Sequence, residues 1–152
     1  PDTVVIRIEE RVAEAILLVN NRAYEVDGEG VVLRPTEPAS APEMPIITNV
    51  PNLTVLEPGT QIVEPAFHNA LEVWRAFCSV DLSQELTLSE LSAEAANTIR
   101  MYCDEIPYEI RWGRTDFYLQ AQRFEALWQE TGGVLPCAAY LDLRFDNDVV
   151  CG

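Results

Sequence analysis

Carboxylates standing close together are the first residues in this chain that could do chemistry. Glu9-Glu10 and the group Asp142, Asp146 and Asp148 have the side chains that glycosidic hydrolysis or calcium binding requires. The second group lacks the loop glycine and the closing bidentate glutamate of a calcium loop, so an Asp- and Asn-rich hairpin turn explains it better. Acid–base catalysis needs two positioned titratable groups, and nucleophilic catalysis needs a nucleophile beside its base. The single histidine, His68, falls inside a helical pattern, where a surface or hydrogen-bonded core role is the common one. No lysine occurs, and no GxSxG, HExxH or phosphate-loop string. The expectation is a protein that is not an enzyme, with no catalytic residues, no metal site and no cofactor.

Thiols are the other reactive groups. Cys78, Cys103, Cys137 and Cys151 form no CxxC pair, and a zinc site built from them would need widely spread ligands. Two disulfides in an oxidising compartment and four buried free thiols both fit the count. A tight hairpin turning at Asn147 would set Cys151 opposite a residue near Leu143. Cys137 would then be out of reach, so any bond of Cys151 is expected to go to another strand.

Composition narrows the partners. Against 25 acidic side chains stand 10 basic ones, all arginine and scattered singly, for a net charge of −15. Such a chain repels phosphate backbones and anionic headgroups, which argues against nucleic acid. Apolar residues make up 48% of the 152, enough for one folded core. The apolar run Ala15 to Val19 is far below the ~20 residues of a membrane helix. Any targeting or anchoring segment is expected to lie outside these residues.

The elements that must position these groups follow from periodicity. Val4, Ile6 and Ile8 alternate with Val5, Arg7 and Glu9, a strand pattern. Ala15 to Val19, Tyr24 to Val26 and Val31 to Leu33 read as a meander, turning at Asn20-Asn21 and at Asp27-Gly28-Glu29-Gly30. Six of the ten prolines lie from Pro35 to Pro58, so that stretch is expected to be a long ordered loop pinned by Ile46-Ile47, neither helix nor central strand. Val63, Phe67, Ala70, Leu71, Trp74, Phe77 and Cys78 make one helical stripe, with Pro65 in the first turn. A second helix starts from Thr115 as N-cap and Asp116 in the first turn, buries Phe117, Ala121, Phe124 and Trp128, and ends at Gly132-Gly133. Between the helices, Thr98 to Cys103 and Pro107 to Trp112 read as paired strands, while Leu88 to Ala96 stays open between helical propensity and strand. Ala138 to Phe145 alternates as a strand, Asp146-Asn147-Asp148 turns, and Val149-Val150 begin the last strand.

Five strings, in order along nearly the whole chain, resemble the extracytoplasmic β-domain of the FtsQ/DivIB bacterial cell-division proteins. They are Pro1 to Arg11 (PDTVVIRIEER), Tyr24 to Val32 (YEVDGEGVV), Pro45 to Asn49 (PIITN), Trp112-Gly113-Arg114, and Tyr140 to Phe145 (YLDLRF). The third has asparagine in the family's glycine place. Ala13-Glu14 stands where the family has proline and an aliphatic residue, and the four cysteines are not a family feature. The resemblance implies an α+β fold, a mostly antiparallel curved β-sheet with two main helices packed on it. Residues 1–11 would be a terminal strand carried over from a preceding POTRA domain, and 12–152 the FtsQ-type β-domain. Without its neighbours, that first strand is expected to pair with another copy or stand away from the core. The family pattern also decides Leu88 to Ala96 in favour of strand.

In function the resemblance implies a non-catalytic scaffold on the extracytoplasmic (periplasmic) face of the cytoplasmic membrane at the division septum, held by a membrane segment outside these residues. It would recruit FtsB/DivIC-type and FtsL-type coiled-coil division proteins, with no small-molecule substrate. A partner strand would add to the sheet edge at the end of the chain, contacting Arg144, Phe145, Asn147, Val149 and Gly152. The rival reading is a disulfide-stapled extracellular ligand-binding or adhesion module, which requires two bonded cysteine pairs and a ligand pocket.

Overall fold

Side chains along the strands sort into two rows that run across the sheet. The computed structural model describes residues 2–38 and 43–152. Pro1 and residues 39–42, the latter part of the proline-rich stretch, lie outside the described residues. The elements are β1 (Ala13–Val19), β2 (Arg22–Asp27), β3 (Val32–Thr36), β4 (Ile46–Thr48), α1 (Pro65–Cys78), β5 (Leu88–Ala95), β6 (Thr98–Cys103), β7 (Glu109–Trp112), α2 (Phe117–Glu130), β8 (Tyr140–Asp142) and β9 (Val150–Cys151). Their strands form one sheet in the order β3-β2-β1-β4-β5-β6-β7-β8-β9. One row joins Leu17, Ile47, Leu91, Met101, Ile110 and Leu141 through successive pairings, and each is fully buried. The next row, shifted by one residue, joins Thr48, Ser92, Arg100, Arg111 and Asp142. A period of two thus gives the sheet one apolar and one polar face.

Both helices add their apolar stripes to the core behind that row. Phe67, Ala70, Leu71 and Phe77 of α1, and Ala121 and Phe124 of α2, join the strand residues in one core. Burying each large side chain contributes about 1.5–3 kcal/mol. Helix α1 begins with Pro65 in its first turn, where the missing N–H breaks no bond. His68 lies half-buried with its Nε2 2.8 Å from the Ile62 carbonyl; as that oxygen only accepts, Nε2 carries the proton and donates it.

The α+β class holds, but the sheet is mixed and open. β1–β4, β4–β5 and β7–β8 pair in parallel, and the other five pairs are antiparallel. The departure comes from the proline-rich stretch. Ile46–Thr48, expected as part of a loop, is a strand near the middle of the sheet. Three proline-free residues suffice, and Pro45 just before them needs only its carbonyl, which accepts the Ile16 N–H at 2.9 Å. Leu88–Ala95 is strand β5, paired with β6 from Leu88↔Cys103 to Ala95↔Thr98. Pairing and burial of Leu91 and Ala93 override the helical propensity of that segment.

Other boundaries shift for local reasons. Asn20 and Asn21 both have positive φ, 50° and 61°, as the two-residue β1–β2 hairpin requires. Asp116, not Thr115, caps α2; it sits in the left-handed region at φ 56° and makes no side-chain cap bond. The buried Gln120 amide does the fastening instead, accepting the Gly113 N–H at 2.8 Å and donating to the Thr115 carbonyl at 2.6 Å. At the other end of α2, Gly133 at φ 80° donates to Trp128 O, closing the helix as the glycine pair implied. Residues 2–12 form no strand: their alternating pattern meets no partner, and Val4, Ile6 and Ile8 are 80%, 76% and 90% exposed. This segment stands away from the core. At its base Arg11 pairs with the buried Asp27 at 2.5 Å and with Glu29 at 2.7 Å.

Candidate partner-binding edge

β8 and β9 end the sheet, and a carboxylate decides where β8 stops. The buried Asp142 Oδ1 accepts the backbone N–H of Arg144 at 3.0 Å, an Asx-type turn that takes the chain out of the ladder. The strand expected over Ala138 to Phe145 is therefore only Tyr140–Asp142. Asp142 also holds the Arg144 guanidinium, with Nη2 2.6 Å from Oδ2 and Nε 2.9 Å from Oδ1. Burial pushes the Asp142 carboxyl up, but the hydrogen bonds from Arg144 and its positive charge together outweigh burial and hold it below the ordinary carboxylate value. Arg144 Nη1 reaches Thr98 Oγ1 at 3.2 Å.

A second arginine fixes the loop that follows. From the middle of α2, Arg123 donates through Nη1 to the carbonyls of Phe145, at 2.6 Å, and Asp146, and through Nη2 to that of Leu143 at 3.0 Å. An open groove of about 680 Å³ lies beside it, lined by Arg114, Asp116, Leu119, Arg123, Arg144 and Asp146 among others. In a chain of net charge −15 this is a local concentration of arginine.

At the far end the chain folds back on itself. Gly152 accepts N–H groups of Ala138 at 2.8 Å and Ala139 at 2.5 Å, and it exchanges bonds in both directions with Tyr140. Leu141 faces Cys151 across the ladder. That pair lies between two hydrogen-bonded positions, so Cys151 turns its own N–H and C=O away from β8. Among the described residues no strand lies beyond β9.

Cys137 and Cys151 form a disulfide, with Cα atoms 4.7 Å apart. This overturns the expectation that Cys151 would bond elsewhere. The turn is wider than a tight hairpin at Asn147: the loop runs from Leu143 to Val149, Cys151 slides to Leu141, and residues 137–139 wrap round the chain end. Cys78 and Cys103 are free, so the two bonded pairs of the stapled-module reading do not form. The Cys103 thiol is buried, and burial, then Glu105 and Asp104, push its pKa up to about 12, far from a reactive thiolate.

The residues singled out in the sequence gather round this edge unequally. Phe145 is 49% exposed on the loop, Asn147 is exposed, and Val149 is half-buried and packs against the core. Arg144 is engaged by Asp142, and Gly152 by the start of β8. Sequence reasoning missed Arg123, Thr98 and Cys137 as parts of the edge. An arginine midway along a helix looks like any solvated position, and nothing in its neighbours marks three carbonyls as its partners.

Comparison with known proteins points to one family. The family model for "Cell division protein FtsQ/DivIB, C-terminal" matches residues 15–144. The "Cell division protein FtsQ" of Syntrophotalea carbinolica is 24% identical over 150 residues, which are 99% of this chain and 52% of that protein. The chain thus spans about half the length of this curated relative.

Proposed function

The chain belongs to the FtsQ/DivIB family of cell division proteins, and on that premise we propose that it is a non-catalytic scaffold domain that recruits other division proteins by strand addition at β9. The domain works on the extracytoplasmic face of the cytoplasmic membrane at the septum. An anchoring segment and a POTRA domain precede residue 12, and residues 1–11 become the last strand of that domain when its sheet is present. The exposure of Val4, Ile6 and Ile8 supports the last point, since such a strand needs sheet neighbours supplied from elsewhere. No helix among the described residues is long and apolar enough to cross a membrane.

One observation carries the reading: β9 ends the sheet with the Cys151 N–H and C=O turned outward. An extended segment of a FtsB/DivIC-type protein, with a FtsL-type protein alongside, satisfies those groups by β-augmentation. Phe145 supplies the apolar anchor beside it, and Arg144, Asn147, Val149 and Gly152 complete the contact. Because Arg144 is neutralised by Asp142, its contribution is shape and register more than free charge. The test is Phe145→Ala, measured with the extracytoplasmic segment of a FtsB/DivIC-type protein as probe. Truncating an interface aromatic costs ~2–4 kcal/mol, about 30- to 1000-fold in affinity. Since Phe145 is half exposed, folding stability changes by only about 1 kcal/mol. Unchanged binding by the folded variant removes Phe145 from the interface.

A further inference from the structure

The Cys137–Cys151 bond closes a ring that contains β8, the loop from Leu143 to Val149, and β9. Little else holds the outer strand. β9 has two registered residues, of which Val150 is half-buried and Cys151 exposed, flanked by the bonds of Gly152 and by Val149 packed against the core. Edge strands with so little burial open locally long before the core unfolds. Cys103 is buried in the core, whereas of the bonded pair Cys151 is exposed and Cys137 is half-buried against the core.

We propose that Cys137–Cys151 is a redox modification site that determines whether the β9 edge is formed, with dithiol oxidoreductases as its reagents. The consequence for partner docking rests on the strand-addition reading above. A thiolate of the reductant attacks the Cys151 sulfur, forming a mixed disulfide and expelling Cys137 as a thiolate that takes a proton from water. The reductant's second thiol, as thiolate, then displaces Cys151, which is protonated in turn. Two electrons and two protons have passed to the domain, and the reductant leaves as its own disulfide. The same steps in reverse, with the disulfide form of an oxidase, restore the bond. Reduced, residues 149–152 lose their tether to the start of β8. The rest of the sheet, β1 to β7, holds neither cysteine of the pair and keeps its pairing.

Amide hydrogen exchange and binding decide this together, on the oxidised domain, on the same protein after reduction by a phosphine, and on the double variant Cys137→Ser/Cys151→Ser. The binding probe is the extracytoplasmic segment of a FtsB/DivIC-type protein. Reduction is expected to speed exchange in 138–142 and 149–152 by about tenfold or more while β1 to β6 keep their protection. If the formed edge falls to about a tenth of molecules, the apparent Kd rises about tenfold. The double variant should match the reduced protein and ignore the phosphine. Unchanged exchange at β8 and β9 on reduction overturns the proposal, as does a full response to phosphine in the double variant. Oxidised protein that fails to bind the probe while its exchange responds overturns the docking reading and supports the redox site.

Discussion

The two edges of the sheet are built on opposite plans. At the β3 edge the segment 59–62 runs alongside: Val32 N–H bonds Thr60 O, Gly59 N–H bonds Val32 O, and Ile62 N–H bonds Gly30 O. Where that cover ends, Pro35 removes an N–H and Arg34 presents a charge paired with Glu25. Proline, charge and a covering loop are the usual ways of blunting an edge. The β9 edge has no such cover among the described residues; it is kept short and tied by a disulfide. A two-residue edge is a poor template for another copy of the chain, yet its outward groups remain available to a segment that brings its own length. Protection by covering and protection by brevity have different consequences, because only the second leaves a place to dock.

Substitutions can break or sharpen that contrast. The largest loss of stability is expected from Asp142→Asn, which leaves Arg144 without its carboxylate. Removing one partner of a buried pair costs 3–5 kcal/mol, and the partial exposure of Arg144 reduces this to about 2–3 kcal/mol in chemical denaturation. Acid should narrow the gap between wild type and variant. The Asp142 carboxyl lies below its ordinary value in the folded state, so its contribution is full above that value and is lost as pH falls through the depressed one. Melting curves from neutrality down to about the ordinary carboxylate pKa and below check the sign.

At the opposite edge, Gly30→Ala attacks the covering loop. Gly30 has φ 88°, and a Cβ there would stand 3.0 Å from both Ile62 O and His68 Cε1. We expect about 2 kcal/mol of destabilisation, with faster amide exchange at Val32 and Ile62 and none at β9. Arg123→Ala releases the carbonyls of Leu143, Phe145 and Asp146. About 1 kcal/mol of stability should go, with a larger relative loss of partner affinity as the Phe145 loop loosens. The smallest change is Pro35→Val. Folding stability should move by less than about 0.5 kcal/mol, but the added N–H unblocks β3, and self-association at high concentration by sedimentation is the readout.

How much of this was legible in the sequence depended on whether a feature is periodic. Phe67, Ala70, Leu71 and Phe77 of α1, Phe117, Ala121 and Phe124 of α2, the Asn20-Asn21 turn and the pairing of Thr98–Cys103 with Glu109–Trp112 follow from spacing and turn chemistry. Val63, by contrast, lies exposed outside α1, Cys78 is exposed at its end and Trp128 is only half-buried. Strand β5 required the family pattern, because Glu and Ala in Leu88–Ala95 favour helix locally and only Leu91 and Ala93 enter the core. β4 was hidden because three residues between prolines show no period. The disulfide was misjudged because a hairpin's register depends on the width of its loop, which Asp142 sets by capturing the Arg144 N–H. For the candidate edge, Phe145 and its neighbours could be named from the YLDLRF string, whereas Arg123 and Thr98 come from other elements and meet the edge only in three dimensions.

The small strand β4 also has a kinetic consequence. It touches β1 through Ile16↔Ile46 and Leu17↔Ile47, and β5 through Ile47↔Leu91 and Thr48↔Ser92. On one side of it β1, β2 and β3 are joined by hairpins, and on the other β5, β6 and β7 are as well, so each block forms from contacts local in sequence. Both junctions through β4 close long loops in parallel, and loop-closure entropy makes such contacts the slow ones. The expected folding order is two quickly assembled blocks, with Ile46, Ile47 and Thr48 zipping them into one sheet last.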